Sequence, residues 1–205
     1  MRFPTLVALA LLSFVPAATA AEFGPFGFPT TPYSADSRVT ADGQTMTARI
    51  HADGPRERRE VKDGEMAHTM LIDHAGKKAM MLLVEDKTAM EVDMGDEAGP
   101  DAMKWTTQVV GPEQVGGLAT TKHHIDGKAA NGDRVVGHVW LTADKIPVKS
   151  ELDATEDGQT ARVVQELTNL KVGPVDPALF AVPAGYKRMQ MPAGGGPASP
   201  PVMRQ

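Results

Sequence analysis

The sequence predicts an all-β protein with little helix, an antiparallel meander of about nine or ten strands, and three observations predict it. Turn dipeptides punctuate the chain: Asp42-Gly43, Asp53-Gly54 and Asp63-Gly64 come in quick succession, and Asp126-Gly127, Asn131-Gly132 and Asp157-Gly158 follow. Asp-Gly and Asn-Gly tolerate the positive φ that tight hairpin turns demand. Between them lie short alternating runs rich in β-branched residues, such as Ser37–Thr40, Thr45–Ile50 and Val135–Leu141, the pattern of half-buried strands. No window holds apolar residues at helical spacing over three turns.

Taken in order, residues 1–20 read as a cleavable secretory signal peptide. Arg2 supplies the positive start, an apolar run from Leu6 reaches Val15, and Pro16 ends it before Ala18-Thr19-Ala20. Small residues at the first and third of those positions suit signal peptidase, so cleavage is expected after Ala20. The competing reading, a membrane anchor, needs a run of about 20 apolar residues, roughly twice what is present. Residues 21–32 read as a flexible arm, because Gly and Pro interrupt every ladder that could form there. The β domain is expected over 33–191. Residues 192–205, Pro- and Gly-rich, read as a disordered tail.

One helical turn is expected at Pro177-Ala178-Leu179-Phe180, with Asp176 as its cap and Pro177 at the first position. A three-stranded region can be read to the level of faces. If residues 73–76 and 85–88 are four-residue loops, one face carries Met66, His68, Met70, Ile72, Met81, Leu83, Met90, Val92 and Met94. The other carries Ala67, Thr69, Leu71, Met80, Leu82, Val84, Glu91 and Asp93. A slip of one residue in either loop would exchange the faces.

Composition narrows the function. The formal net charge is −5 and there is no cysteine. Mild acidity argues against nucleic acid and anionic membrane surfaces as partners. Without cysteine there can be neither a disulfide nor an N-terminal lipid anchor, and burial alone must hold the fold. The familiar catalytic patterns are missing: there is no Gly-x-Ser-x-Gly, His-Glu-x-x-His or phosphate-binding glycine loop. His123 and His124 look like a metal pair, but neighbours on a strand point to opposite faces. Arg56, Arg58 and Arg59, interleaved with Glu57 and Glu60, read as a solvated strand rather than an anion site.

The 12 methionines stand against few aromatic residues and admit three readings. They fill an irregular core; they line a wall that re-packs around varied apolar cargo; or they bind a soft metal such as Cu(I), with His68, Met66, Met70 and Met81 as the place. The ligand-lining reading singles out Met66, Met70, Ile72, Met80, Met81, Leu82, Leu83, Met90, Val92 and Met94. Phe23, Phe26 and Phe28 crowd into the arm, where leaving them in water forfeits roughly 1.5–3 kcal/mol each. Two readings stand for them: they fold back as a lid over the apolar sheet, or they belong to a disordered linker, as termini often do.

The order of segments resembles the outer-membrane lipoprotein-carrier superfamily, the LolA/LolB-like proteins, and in particular its small secreted relatives of unknown function. The pieces that carry the resemblance are the opening hairpin 37–50, the charged strand 56–61 and the strand–turn–strand 70–82. After them come Gly111–Leu118, Val139–Thr142 with Ile146–Lys149, and the closing Pro177–Tyr186. The resemblance implies an incomplete, strongly curved antiparallel barrel whose apolar concave face can hold acyl chains. Those carriers close the cavity with helices, which this chain hardly offers, and no site residue transfers from them. The resulting expectation is a non-catalytic periplasmic binding domain for an apolar or lipidic ligand, with no cofactor. Two alternatives stand beside it: a Met/His copper-handling protein, and a module that docks on an envelope protein.

Overall fold

A computed structural model describes residues 24–63, 66–93, 103–156 and 158–190. Twelve strands form one sheet. They are β1 (Tyr33–Ala41), β2 (Gln44–Asp53), β3 (Arg56–Asp63), β4 (Met66–Asp73), β5 (Lys78–Leu83) and β6 (Thr88–Asp93). Then come β7 (Met103–Val115), β8 (Leu118–Ala129), β9 (Arg134–Leu141), β10 (Pro147–Glu156), β11 (Gln159–Val172) and β12 (Lys187–Gln190). The sheet order is β12-β6-β5-β4-β3-β2-β1-β11-β10-β9-β8-β7, so among the described residues β12 and β7 are open edges and the sheet does not close. All neighbours are antiparallel except β12, which lies parallel to β6. The single long-range pairing that joins the two meanders is β1 with β11.

Turn chemistry explains the meander. Asp42 and Gly43 both take positive φ, 48° and 78°, and close β1 onto β2 with Ala41 opposite Gln44. Two successive left-handed residues match the twist of a two-residue hairpin. Gly54, at φ 57°, followed by Pro55 turns β2 into β3. The Asp63-Gly64 turn and Asp157 lie partly or wholly outside the described residues.

Asp126-Gly127 is not a turn, contrary to the sequence reading. Both residues lie inside β8, and Gly127 is opposite Val135 on one side and Trp105 on the other. A Cβ on Gly127 would come within 2.4 Å of the Trp105 ring. The glycine makes room for an indole rather than for a bend. The strand count also exceeds the expected nine or ten. Among the twelve, β7 accommodates Gly111 and Pro112 because it is an edge and carries a bulge between Val109 and Gly111.

The two loops around β5 are four residues long, as expected, but each is shifted by one. Asp73 pairs with Lys78 and Leu83 with Thr88. Asp73 Oδ1 accepts the Gly76 amide at 2.9 Å, and Lys77 and Lys87 take the closing positive φ of 51° and 48°. Cross-strand partners therefore differ by two residues from the expected ones. A shift of two leaves every side chain on its expected face.

The expected helical turn is a 3-10 turn at Pro177–Phe180, with Asp176 Oδ1 accepting from the Ala178 amide at 2.9 Å. Arg58 donates to the Leu179 carbonyl, and the Arg56 guanidinium lies 5.0 Å from the Phe180 ring centre. The chain then lays Val182 and Tyr186 over Leu71, Leu82 and Ala89. The outer face of β4–β6 is thus covered by the C-terminal segment. The rest of the core sits on the inner face: Tyr33, Ala35, Ile50, Ala52 and Leu167 in one cluster, and Ile125, Val135, Val139, Leu152 and Ala154 in another. Among the described residues no helix is long and apolar enough to cross a membrane.

Candidate ligand-binding face

Residues opposite each other in a ladder share a face, and one row can be followed across seven strands. Ala35 stands opposite Ile50, Ile50 opposite Arg59, Arg59 opposite Met70, Met70 opposite Met81, Met81 opposite Met90, and Met90 beside Met189. Four methionines therefore lie side by side on β4, β5, β6 and β12. At about 4.8 Å between strands the row covers roughly 14 Å. Exposure rises along it. Ala35 is fully buried, Ile50 is 2% exposed, Met70, Met81 and Met90 are half-buried, and Met189 is 56% exposed. Ile72 and Leu83 flank the row on the same face, also half-buried. The arrangement is an apolar ladder running from the core to an open edge, built from side chains that deform easily.

Where the ladder meets the core it carries charge. Glu57, Arg59 and His74 are buried. Glu57 stands opposite Ile72, and Arg59 opposite Met70. The Arg59 Nε and a terminal nitrogen donate to Glu57 Oε1 at 2.8 and 2.7 Å, and His74 Nε2 lies 3.4 Å from Glu57 Oε2. Burial alone would raise the Glu57 pKa; the Arg59 charge and the His74 contact outweigh it and hold the carboxyl down at about 2. The charged strand is therefore not solvated throughout. Arg56, Arg58 and Glu60 alternate to the outside, whereas Glu57 and Arg59 point into the protein beside the apolar row.

Residues 24–32 lie against the inner side of β7–β9. Phe26 packs on the cluster of Ile125, Val139 and Leu152, with its ring centre 4.8 Å from that of His123. Phe28 lies 5.9 Å from His74, ring centre to ring centre. The Thr30 amide donates to the Asp144 carbonyl at 3.0 Å, Thr31 Oγ1 to Asp144 Oδ1 at 2.9 Å, and Lys145 Nζ to the Phe26 carbonyl at 3.1 Å.

Of the residues expected to line a ligand, Met70, Ile72, Met81, Leu83 and Met90 come together on the inner face. Met80 and Leu82 stand on the other face, where Leu82 is 1% exposed and belongs to the cluster that Val182 and Tyr186 cover. Met94 and Phe23 lie outside the described residues, as do the side chains of Met66 and Val92. In the copper alternative, His68 stands opposite Leu83 rather than Met81, and Met70 and Met81 are direct partners. His123 and His124 do point apart: His123 meets Phe26 and His124 meets His138 at 5.3 Å. Among the described residues no group of three or more His, Cys, Asp or Glu side chains is placed to hold a metal ion. Met189 and the buried Glu57–Arg59 pair were not singled out from the sequence. The shared parity of Glu57, Arg59 and Val61 was the available signal for the pair, whereas β12 has no local signal that would place it beside β6.

No protein-family model matches the chain, and no curated protein matches it in sequence. Solved structures do match in fold. An uncharacterized conserved protein from Thermus thermophilus superposes with a TM-score of 0.53 at 14% identity, covering 90% of this chain and 99% of that one. MucB superposes with a TM-score of 0.50 at 16% identity, covering 81% of this chain. The match takes in 62% of MucB, so this chain spans less than two thirds of that protein's length. The lipoprotein LppX of Mycobacterium tuberculosis follows at a TM-score of 0.41 and 12% identity, over 83% of this chain and 98% of LppX. The fold is LolA-like, an open and mostly antiparallel sheet, in agreement with the resemblance in the sequence.

Proposed function

We propose that this chain is a non-catalytic binding protein of the periplasm that holds an apolar or lipidic ligand against the inner face of its open sheet. The observation that carries the reading is the ladder of Met70, Met81, Met90 and Met189, continuous with the core and increasingly exposed toward the β12 edge. A row of adaptable thioether side chains accommodates chains of different shape at little repacking cost, and an apolar surface left open in this way marks an interaction site. Export through residues 1–20, with cleavage after Ala20, belongs to the same reading. The test is a titration of the mature chain with an environment-sensitive acyl probe. Met81→Glu should weaken binding at least about tenfold, since a carboxylate in an apolar contact costs more than 1.4 kcal/mol, and Met81→Leu should retain it. Equal binding by all three proteins would overturn the reading.

A second reading, docking of an envelope protein, is favoured by β7. This edge strand is 13 residues long and exposes Val109 and Val110 at 64% and 55%, a template for an added strand. MucB has been solved in complex with MucA. Docking of this kind would be lost in Val109→Lys while acyl-probe binding stayed unchanged.

A further inference from the structure

The inner face of β7–β9 is filled by the chain itself. Residues 24–32 belong to no strand, yet they are seated closely. The Gly24 backbone lies so near the Trp105 indole that a Cβ would come within 2.5 Å of its Cζ2 atom, and a Cβ on Gly127 would come within 2.4 Å of Cζ3. Trp105 thus meets glycine backbone at both ends of its ring, a fit that any larger residue would spoil. Phe26 packs against the same cluster, which includes Ile125 and Val139, with its ring edge-on to His123. The polar pins are peripheral by comparison. Lys145 holds the Phe26 carbonyl, and Asp144 holds Thr30 and Thr31, through exposed or half-exposed groups.

We propose that the seat formed by Trp105, Ile125, Val139 and His123 is an apolar binding site in its own right, that residues 24–30 occupy it as a built-in ligand, and that an acyl chain entering the inner face displaces them. This rests on the ligand reading above and adds the place and its control. The seat lies on the same face as the methionine ladder, at the opposite end of the sheet. Phe28 stands between the two, beside His74 and so beside the Glu57–Arg59 pair. A Gly- and Pro-rich segment suits the task. It contributes aromatic side chains to the seat without joining the sheet, and the hydrogen bonds that Lys145 and Asp144 make to it lie toward the surface.

The experiment uses the full mature chain and one fluorescent acyl probe. Phe26→Ala/Phe28→Ala should bind the probe about tenfold more tightly than the unaltered chain, the competition of the two phenyl rings having been removed. In the unaltered chain, adding probe should speed hydrogen exchange of the Thr30 amide, whose acceptor is the Asp144 carbonyl. Lys145→Ala removes one pin without touching a buried side chain, and should tighten binding in the same direction by a smaller factor. It keeps the test open if the double variant fails to fold. Unchanged affinity in the variants, with Thr30 exchange unaltered by probe, overturns the inference and leaves the ligand reading standing. A fall in affinity in both variants also overturns it, because residues 24–30 would then be part of the ligand's wall. Binding to none of the proteins removes the ligand reading and the inference together.

Discussion

Replacing Glu57 by Gln removes one charge from a buried pair while preserving its shape. The Glu57 side chain is 3% exposed and that of Arg59 7%, with 2.7 Å between the charged groups. The folded protein holds the Glu57 carboxyl at about 2 against an ordinary value of 4.5. At 1.36 kcal/mol per pKa unit, that depression corresponds to about 3 kcal/mol of stability at neutral pH. Because the folded pKa lies below the unfolded one, this contribution is fully present above pH 4.5 and is lost as pH falls toward 2. Asp36, Asp126 and Glu151 are also held below their usual values, by hydrogen bonds from Asn169, Arg134 and Lys149 respectively. Their loss falls in the same acid range, so the difference between the two proteins isolates Glu57. Urea unfolding at a series of pH values should show Glu57→Gln destabilised by about 3 kcal/mol at pH 7, with the gap closing between pH 4.5 and 2. Adding Arg59→Met should recover much of the loss, since the unpaired buried cation is then gone. A gap below about 1 kcal/mol, or one that does not change with pH, would refute the reasoning.

Two further substitutions test the packing. Gly137 has φ 156°, and a Cβ there would sit 2.0 Å from the Glu151 carbonyl oxygen. Gly137→Ala must therefore push β9 off β10 and should cost at least about 2 kcal/mol, read by thermal or urea unfolding. Leu82 is 1% exposed beneath the C-terminal segment, so Leu82→Ala should cost about 2–5 kcal/mol and raise proteolytic cleavage after Lys187, since the segment loses the surface it rests on.

The sequence made some features legible and hid others for identifiable reasons. Asp42-Gly43 could be placed because a local φ requirement selects those residues, and Asp176 and Pro177 because a helical start needs a cap and tolerates a missing N–H. The same dipeptide at Asp126-Gly127 misleads, because what selects that glycine is Trp105, two strands' worth of chain away. Alternation fixed the faces of β4, β5 and β6 but not their rungs, and the Asp73–Gly76 hydrogen bond decided the rung. The burial of Glu57 and Arg59 was masked by charges at every position from Arg56 to Glu60, although their parity with Val61 points inward. The pairing of β1 with β11, and the alignment of Met189 with Met90, depend on residues far apart in the chain, for which one sequence carries no local signal.

An apolar ligand held against the inner face should travel with the protein. Native mass spectrometry of the protein isolated from its own compartment tests it most directly. The expected result is the mature chain beginning at Ala21, accompanied by an acyl-bearing lipid at close to one per chain, which is released when the solution is made denaturing. Protein that arrives bare, or carrying copper and no lipid, contradicts it.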